Sequence, residues 1–125
     1  MSLVTNLETR CLVEISDAIR SFGEENGLVV ARHGGEEFAA LMIGVTTEQA
    51  IQHANALCRI CAATEIANNS GTSACVTVSI GLASSHENTN LPEIMRAADQ
   101  ALYIAKHGGR NRVVRADVGA DPVAA

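Results

Sequence analysis

Two glycines, Gly34 and Gly35, stand between two short apolar runs at residues 28–31 and 38–43. This feature constrains the fold more than any other. Glycine reaches positive φ without a steric penalty, so a Gly-Gly pair between strand-like runs predicts a hairpin. A hairpin makes its two strands antiparallel neighbours in one sheet. The 38–43 run, Phe-Ala-Ala-Leu-Met-Ile, lacks polar alternation, which predicts a strand covered on both faces.

Helical periodicity flanks this hairpin. Thr5 and Glu8 have the spacing of a capping box, and Leu7, Leu12, Ile15, Ile19 and Phe22 follow at near-helical intervals. A first helix is therefore expected from Thr5 to about Phe22. Thr46 and Gln49 repeat the capping pattern ahead of an apolar stripe of Ala50, Ile51, Ala54, Leu57, Cys58 and Cys61. That helix is expected to end at about 64–66. Residues 74–83 alternate, with Val76, Val78, Ile80 and Leu82 opposite Thr77, Ser79 and Gly81, which predicts one strand. Asn90, Pro92 and Glu93 open a last helix striped by Leu91, Ile94, Ala98, Ala101, Leu102 and Ala105. Gly108 and Gly109 end it, and Val113 and Val114 follow as a short edge strand. Residues 116–125 show no pattern and are expected to form a disordered tail. The order α-β-β-α-β-α-β predicts an α/β (α+β) sandwich with a largely antiparallel sheet in one domain, residues 1–115.

Composition narrows the function classes. Apolar residues make up 47 % of the 125 residues and aromatic residues 2 %, so a core of Val, Ile, Leu and Ala is expected. No apolar run of about eighteen residues occurs, and the first thirty residues lack the pattern of a signal peptide. The net charge is −5, and Lys106 is the single lysine. A domain gripping nucleic acid through many phosphates would be basic, so nucleic acid is not an expected partner. A small phosphate ligand held by two or three local cations remains compatible with this charge. The four cysteines are Cys11, Cys58, Cys61 and Cys75. Cys58 and Cys61 share a CxxC spacing but lie in a helical stripe, where free cysteine packs as a small apolar residue. No second CxxC completes a zinc site. Free thiols without an export signal predict the cytoplasm.

Two segments could carry chemistry. In Arg32-His33-Gly34-Gly35-Glu36-Glu37-Phe38, adjacent carboxylates stand at a glycine turn. This is either an ordinary solvated turn or a site for a hard divalent cation bridging to phosphates. In Lys106-His107-Gly108-Gly109-Arg110-Asn111-Arg112, a lysine and an arginine lie four residues apart. This is either a helix terminus with dipole-matched charge or a phosphate clamp.

Together, and in this order, the segments resemble the GGDEF family of diguanylate cyclase domains. The hairpin is similar to the family signature in its GGEEF form, and Ser79-Ile80-Gly81 resembles the family's S-I-G strand. Residues 98–106, Ala-Asp-Gln-Ala-Leu-Tyr-Ile-Ala-Lys, followed by Gly109-Arg110-Asn111, resemble its terminal motif. The resemblance runs from about Leu12 to Val114. It implies a ferredoxin-like fold of the nucleotidyl-cyclase and polymerase-palm kind. It also implies the condensation of two GTP molecules into cyclic di-GMP, a bacterial second messenger. By the same resemblance, Glu36 and Glu37 are metal ligands and catalytic residues, with Glu36 the candidate base. Gly34 and Gly35 shape the turn beside the nucleotide, and Lys106 and Arg110 neutralise its phosphates. The implied cofactor is Mg²⁺ (or Mn²⁺). The implied partners are GTP, a second GGDEF domain in a homodimer, and an upstream sensory or receiver domain. Such a chain is cytoplasmic, or the cytoplasmic part of a larger membrane-anchored protein.

The chain departs from the family pattern at its start. The family opens with a strand carrying a metal-binding Asp and a helix carrying a Lys and a guanine-reading Asn, and this chain resembles the part after both. A second guanine-reading position, an Asp, falls near Thr9, where Glu8-Thr9 stands instead. The Arg-x-x-Asp that binds cyclic di-GMP in many members is replaced by Glu25-Asn26-Gly27-Leu28, and His33 stands where Tyr is frequent. An N-terminally incomplete domain is therefore expected. Its sheet should have a gap between the 38–43 and 76–82 strands, closed by direct pairing or by a strand-mediated dimer. Two functional readings follow. One is a cyclase domain whose 125 residues alone are inactive. The other is a degenerate, non-catalytic module for GTP binding, dimerisation or regulation.

Overall fold

The computed structural model describes residues 2–8, 12–32, 37–63, 65–67, 73–75, 77–85, 90–116 and 122–125. For 2–8, 12–14, 65–67 and 73–75 the description covers the backbone alone. The elements in chain order are β1 (Ser2–Glu8), α1 (Leu12–Asn26), β2 (Val29–Arg32), β3 (Glu37–Ile43), α2 (Thr47–Ala63), β4 (Glu65–Ala67), β5 (Ser73–Cys75), β6 (Ser79–Ser84), α3 (Leu91–His107), β7 (Val113–Arg115) and β8 (Val123–Ala124). Six strands form one sheet in the order β2-β3-β1-β6-β7-β8, and β4-β5 is a separate ribbon. Every pairing in the large sheet is antiparallel except β6 with β7. The predicted architecture of helices on a largely antiparallel sheet therefore holds.

The start of the chain corrects the sequence reading. Residues 2–8 are a strand and not a helical turn, and the helix begins at Leu12. β1 occupies the middle of the sheet, where Thr5 pairs with Ala40 of β3 on one side and Leu82 of β6 on the other. The expected gap is filled by the chain's own residues, so neither direct β3–β6 pairing nor an intermolecular strand is needed to close the sheet. Two open strand edges outweigh a local capping box. Each backbone group in a central strand gains a ladder partner, whereas a frayed first helical turn leaves its amides unpaired.

Elsewhere the local signals match the elements. Thr46 and Gln49 form the predicted reciprocal cap: the Gln49 amide donates to Thr46 Oγ1 at 3.1 Å and the Thr46 amide to Gln49 Oε1 at 2.9 Å. At the start of α3 the Glu93 amide donates to Asn90 Oδ1 at 3.0 Å, and Pro92 sits in the first turn. β2 and β3 pair antiparallel with Arg32 opposite Phe38, as a hairpin requires. The hairpin tip, residues 33–36, lies outside the described residues.

Three details differ from expectation. The predicted 74–83 strand is two elements, β5 and β6, in different sheets. β3 alternates after all, with Phe38, Ala40 and Met42 buried and Ala39 and Leu41 half-buried. The stretch after Val114 also carries order: Ala116 is buried, its amide donates to Leu82 O at 2.8 Å, and Val123 and Ala124 pair with β7.

The two faces of the sheet carry different cores. On one, Ile15, Ile19 and Phe22 of α1 and Leu57 and Cys61 of α2 pack with Phe38, Met42, Ile80, Leu82 and Val113. On the other, Ala98, Ala101 and Ala105 of α3 lie over Ala83, Val114 and Ala116. All six residues of β6 are buried, because helices cover both of its faces. Gly81 makes the second face close. A Cβ there would collide with the backbone of Ala98 and Leu102, so α3 rests directly on the strand.

Candidate functional site

The register of the central strands gathers the chemistry-bearing segments at one end of the sheet. Glu8, the last residue of β1, stands opposite Glu37 at the start of β3 and opposite Ser79 at the start of β6. The turn after α3 reaches the same end, because the Ile80 amide donates to Arg112 O at 3.0 Å. The α3 terminus contributes Lys106, whose Nζ lies 3.7 Å from Glu37 Oε1. Both side chains are partly shielded, Lys106 at 21 % and Glu37 at 35 % exposure. Two segments far apart in sequence thus meet through a carboxylate and an ammonium.

Local sequence explains each placement. Glu37 follows the glycine hairpin and begins the ladder of β3. Lys106 lies in the last turn of α3, where positive charge complements the helix dipole. The helix is closed by the Gly108 amide donating to Ile104 O at 2.8 Å and the Arg110 amide to Ala105 O at 3.0 Å. The turn then passes through Gly109 (φ 118°), Arg110 (φ 62°) and Asn111 (φ 48°). Glycine and asparagine tolerate this left-handed region, but arginine does not favour it. A strained arginine backbone persists only where surrounding structure imposes it, and such positions cluster at ligand sites. Here the imposing contacts are the Ala105 carbonyl and the Arg112 Nε, which donates to Arg110 O at 3.0 Å.

Of the site residues expected from the sequence, Glu37, Lys106 and Arg110 are brought to one end of the sheet. Gly34, Gly35 and Glu36 lie outside the described residues, as do His33 and Thr9. Among the described residues no group of three His, Cys, Asp or Glu side chains is placed to hold a metal ion. Glu37 is half-buried and offers carboxylate oxygens of the kind hard divalent cations prefer. Glu8 is the residue that the sequence reading missed as a site candidate. It was assigned to a capping box, and its register position beside Glu37 emerges only once β1 is paired. The β-branched Val4-Thr5 pair in Ser2–Glu8 was the available signal.

The CxxC pair behaves as the bland reading expects. Cys58 and Cys61 are free and buried in α2, and Cys58 Sγ donates to Val78 O at 3.3 Å. Burial pushes the Cys58 thiol up, against a smaller opposing effect of Arg59. Burial, with a further contribution from Cys58, pushes Cys61 up to about 12. His53 packs edge-on against Phe22, with ring centroids 6.0 Å apart.

Comparison with known proteins agrees with this arrangement. The family described as "Diguanylate cyclase, GGDEF domain" matches residues 9–112. The chain is similar to the probable diguanylate cyclase DgcT of Escherichia coli, with 42 % identity over 95 residues covering 72 % of this chain and 20 % of that protein. It is also similar to the diguanylate cyclase DgcN of Escherichia coli, with 33 % identity over 114 residues covering 85 % of this chain and 26 % of that protein. The chain thus spans about a quarter or less of these relatives. Among solved structures, the GGDEF domain of YfiN from Pseudomonas aeruginosa superimposes with a TM-score of 0.79 at 25 % identity, covering 96 % of this chain and 83 % of that one. The GGDEF domain of FimX from the same organism gives 0.80 at 24 % identity over 92 % of this chain and 80 % of that one, a likeness of fold. With the glycine-hairpin strand, the S-I-G strand and the terminal lysine converging on one end of a palm-like sheet, the chain belongs to the GGDEF domain family.

Proposed function

We propose that the chain is the GTP-condensing domain of a diguanylate cyclase, with the phosphate end of its site retained and the base-reading end reduced. The observation that supports this reading most directly is the approach of Lys106 Nζ to Glu37 Oε1 at 3.7 Å, which brings a residue of each motif together. Glu36 and Glu37 would hold the divalent cation, Mg²⁺ or Mn²⁺. The bound cation supplies charge neutralisation at the triphosphate and lowers the pKa of the attacking hydroxyl. Glu36 accepts the proton of the 3′-hydroxyl. Lys106 and Arg110 bind the phosphate oxygens, and Gly34 and Gly35 let them approach the backbone. The 3′-oxygen of one GTP bonds to the α-phosphorus of the other as the bond to pyrophosphate breaks. Repeated in the opposite sense, this closes the cyclic product, so two domains, each holding one GTP, must face each other.

A second reading, a non-catalytic module for GTP binding, dimerisation or regulation, is favoured by one observation. β1 leads into α1 across residues 9–11 alone, with no helix between them. The family helix carrying the Lys and the guanine-reading Asn therefore has no counterpart between β1 and α1. Under the leading reading this omission weakens base discrimination and turnover while leaving triphosphate binding intact. The cytoplasm, where GTP resides, and an upstream sensory or receiver domain belong to the same proposal. No helix among the described residues is long and apolar enough to cross a membrane.

The test is nucleotide binding by calorimetry with Mg²⁺, followed by mass spectrometry for cyclic di-GMP. Mg²⁺-dependent binding of GTP and ATP with similar affinity is expected. Glu37→Gln and Lys106→Ala should each weaken it about tenfold or more. The wild-type chain should form cyclic di-GMP at trace levels at most. Failure to bind any triphosphate with Mg²⁺ would sink the cyclase reading and leave dimerisation or regulation without nucleotide. Rapid turnover would show that the absent helix is dispensable.

A further inference from the structure

A cavity of about 270 Å³ opens between α2 and the turn that follows α3. It is lined by Asn55, Cys58, Arg59, Ala62, Asn111 and Arg112. Two arginines and two asparagines thus line one small space, and none of the lining residues is acidic. The chain as a whole is acidic, with 14 Asp and Glu against 9 Lys and Arg, so two arginines sharing a cavity without a facing carboxylate run against its average. Like charges in one cavity repel, and an anion between them reverses the sign of the interaction.

Arg112 is held by its Nε, which donates to Arg110 O at 3.0 Å. Its guanidinium packs against Gly108 and Gly109: a Cβ built at Gly109 would lie 2.5 Å from Nη2, and one at Gly108 3.3 Å from Nη1. Asn111 reaches the cavity wall through a left-handed backbone, φ 48°. On the facing wall, Asn55 and Arg59 are one helical turn apart on α2 and so project from one side of it. The floor is Cys58, a buried thiol whose Sγ donates to Val78 O, so it adds no charge that opposes an anion. Among the described residues no carboxylate forms an ion pair with Arg59 or Arg112.

We propose that this cavity binds a small phosphate-bearing anion between Arg59 and Arg112, with Asn55 and Asn111 donating from their carboxamides. Guanidinium groups match phosphate oxygens in geometry as well as charge, and carboxamide nitrogens complete a set of donors around a tetrahedral anion. A volume of about 270 Å³ lies just below the usual range for organic-ligand pockets, which fits inorganic phosphate or a small phosphate monoester. Glu37, Lys106 and Arg110 are not among its lining residues, so the proposal does not rest on the cyclase reading.

The experiment is a titration of the intact chain with inorganic phosphate at constant ionic strength, with chelator present to exclude metal, followed by nuclear magnetic resonance. Saturable shifts of the Asn55 and Asn111 side-chain amides and of the Ala62 backbone amide are expected, with a dissociation constant of about 1 mM. Arg59→Gln, on the exposed face of α2, should weaken these shifts about tenfold without changing the melting temperature. Arg112→Gln should do the same, and Lys106→Gln should leave the shifts in place. Repeating the titration with ribose 5-phosphate separates a monoester site, which binds it more tightly, from a site for free phosphate, which binds it equally or less well. Absence of saturation, or equal affinity in Arg59→Gln, would overturn the proposal. So would an Arg112→Gln chain that loses stability but keeps its phosphate affinity, since Arg112 would then serve only to close α3.

Discussion

Cys61 shows how a motif-like residue is decided by its surroundings. It is fully buried in α2, and burial pushes its thiol from the ordinary 9.0 to about 12. The unfolded chain therefore loses this proton first as pH rises. In the window from about 9 to about 12 the folded state binds more protons than the unfolded state, so stability is intact below the window and falls with rising pH through it, by up to about 1.4 kcal/mol per pH unit. Urea midpoints measured across this range should decline, and Cys61→Ser should flatten that decline while lowering stability at neutral pH through a buried hydroxyl. A thiol-specific reagent should label Cys61 only as fast as the chain opens. Prompt labelling of the folded chain would contradict the burial on which this rests. Glu37 and Lys106 illustrate the opposite situation. Their contact at 3.7 Å between partly shielded groups adds little to stability, so its consequence is sought in binding.

At the scale of elements, α3 rests closely on β6. Ala98, Ala101 and Ala105 present a face without long side chains, and Gly81 removes the remaining obstacle on the strand. The helix is thereby held low enough for its last turn to bring Lys106 to Glu37. Gly81→Ala forces a methyl group against the backbone of Ala98 and Leu102, which cannot move as the tip of a flexible side chain can. Overpacking of this kind costs about 1–3 kcal/mol, so the melting temperature should fall by several degrees. Mg²⁺-dependent nucleotide binding should weaken in step, as α3 lifts Lys106 away from Glu37. Unchanged stability in Gly81→Ala would show that α3 has room the structure denies it. Local sequence had already announced the helix ends at this scale. The Thr46–Gln49 and Asn90–Glu93 caps sit where their spacing predicts, because capping uses only neighbours within one turn.

For the whole molecule, β1 is the element on which the sheet depends. It pairs along its length with β3 and along most of it with β6, and removing it would leave two apolar strand edges open. Thr5→Pro deletes a ladder hydrogen bond in the middle of a central strand, a position proline does not occupy in sheets. A loss of about 1–3 kcal/mol from the backbone group left without its partner is expected, read as a shifted urea midpoint, together with concentration-dependent association as the exposed edges pair between molecules. A monomer of undiminished stability would show that the centre of the sheet does not need residues 2–8.

Sequence by itself determined the features that arise from close neighbours. The hairpin strands, the α2 and α3 caps, the alanine stripe of α3 and the Gly108-Gly109 stop each follow from residues a few positions apart, and so does the pairing of a carboxylate motif with a cationic one in a fixed order. Tertiary structure decided what depends on vacancy and register. Residues 2–8 carry a capping box and an approximate helical period, yet they are a strand, because the slot between β3 and β6 offers paired backbone on both sides. The same slot sets Glu8 opposite Glu37 and Ser79, a placement no spacing along the chain encodes. Burial of every β6 residue, Ser79 and Ser84 included, likewise follows from helices arriving on both faces, which the alternation of its sequence could not report.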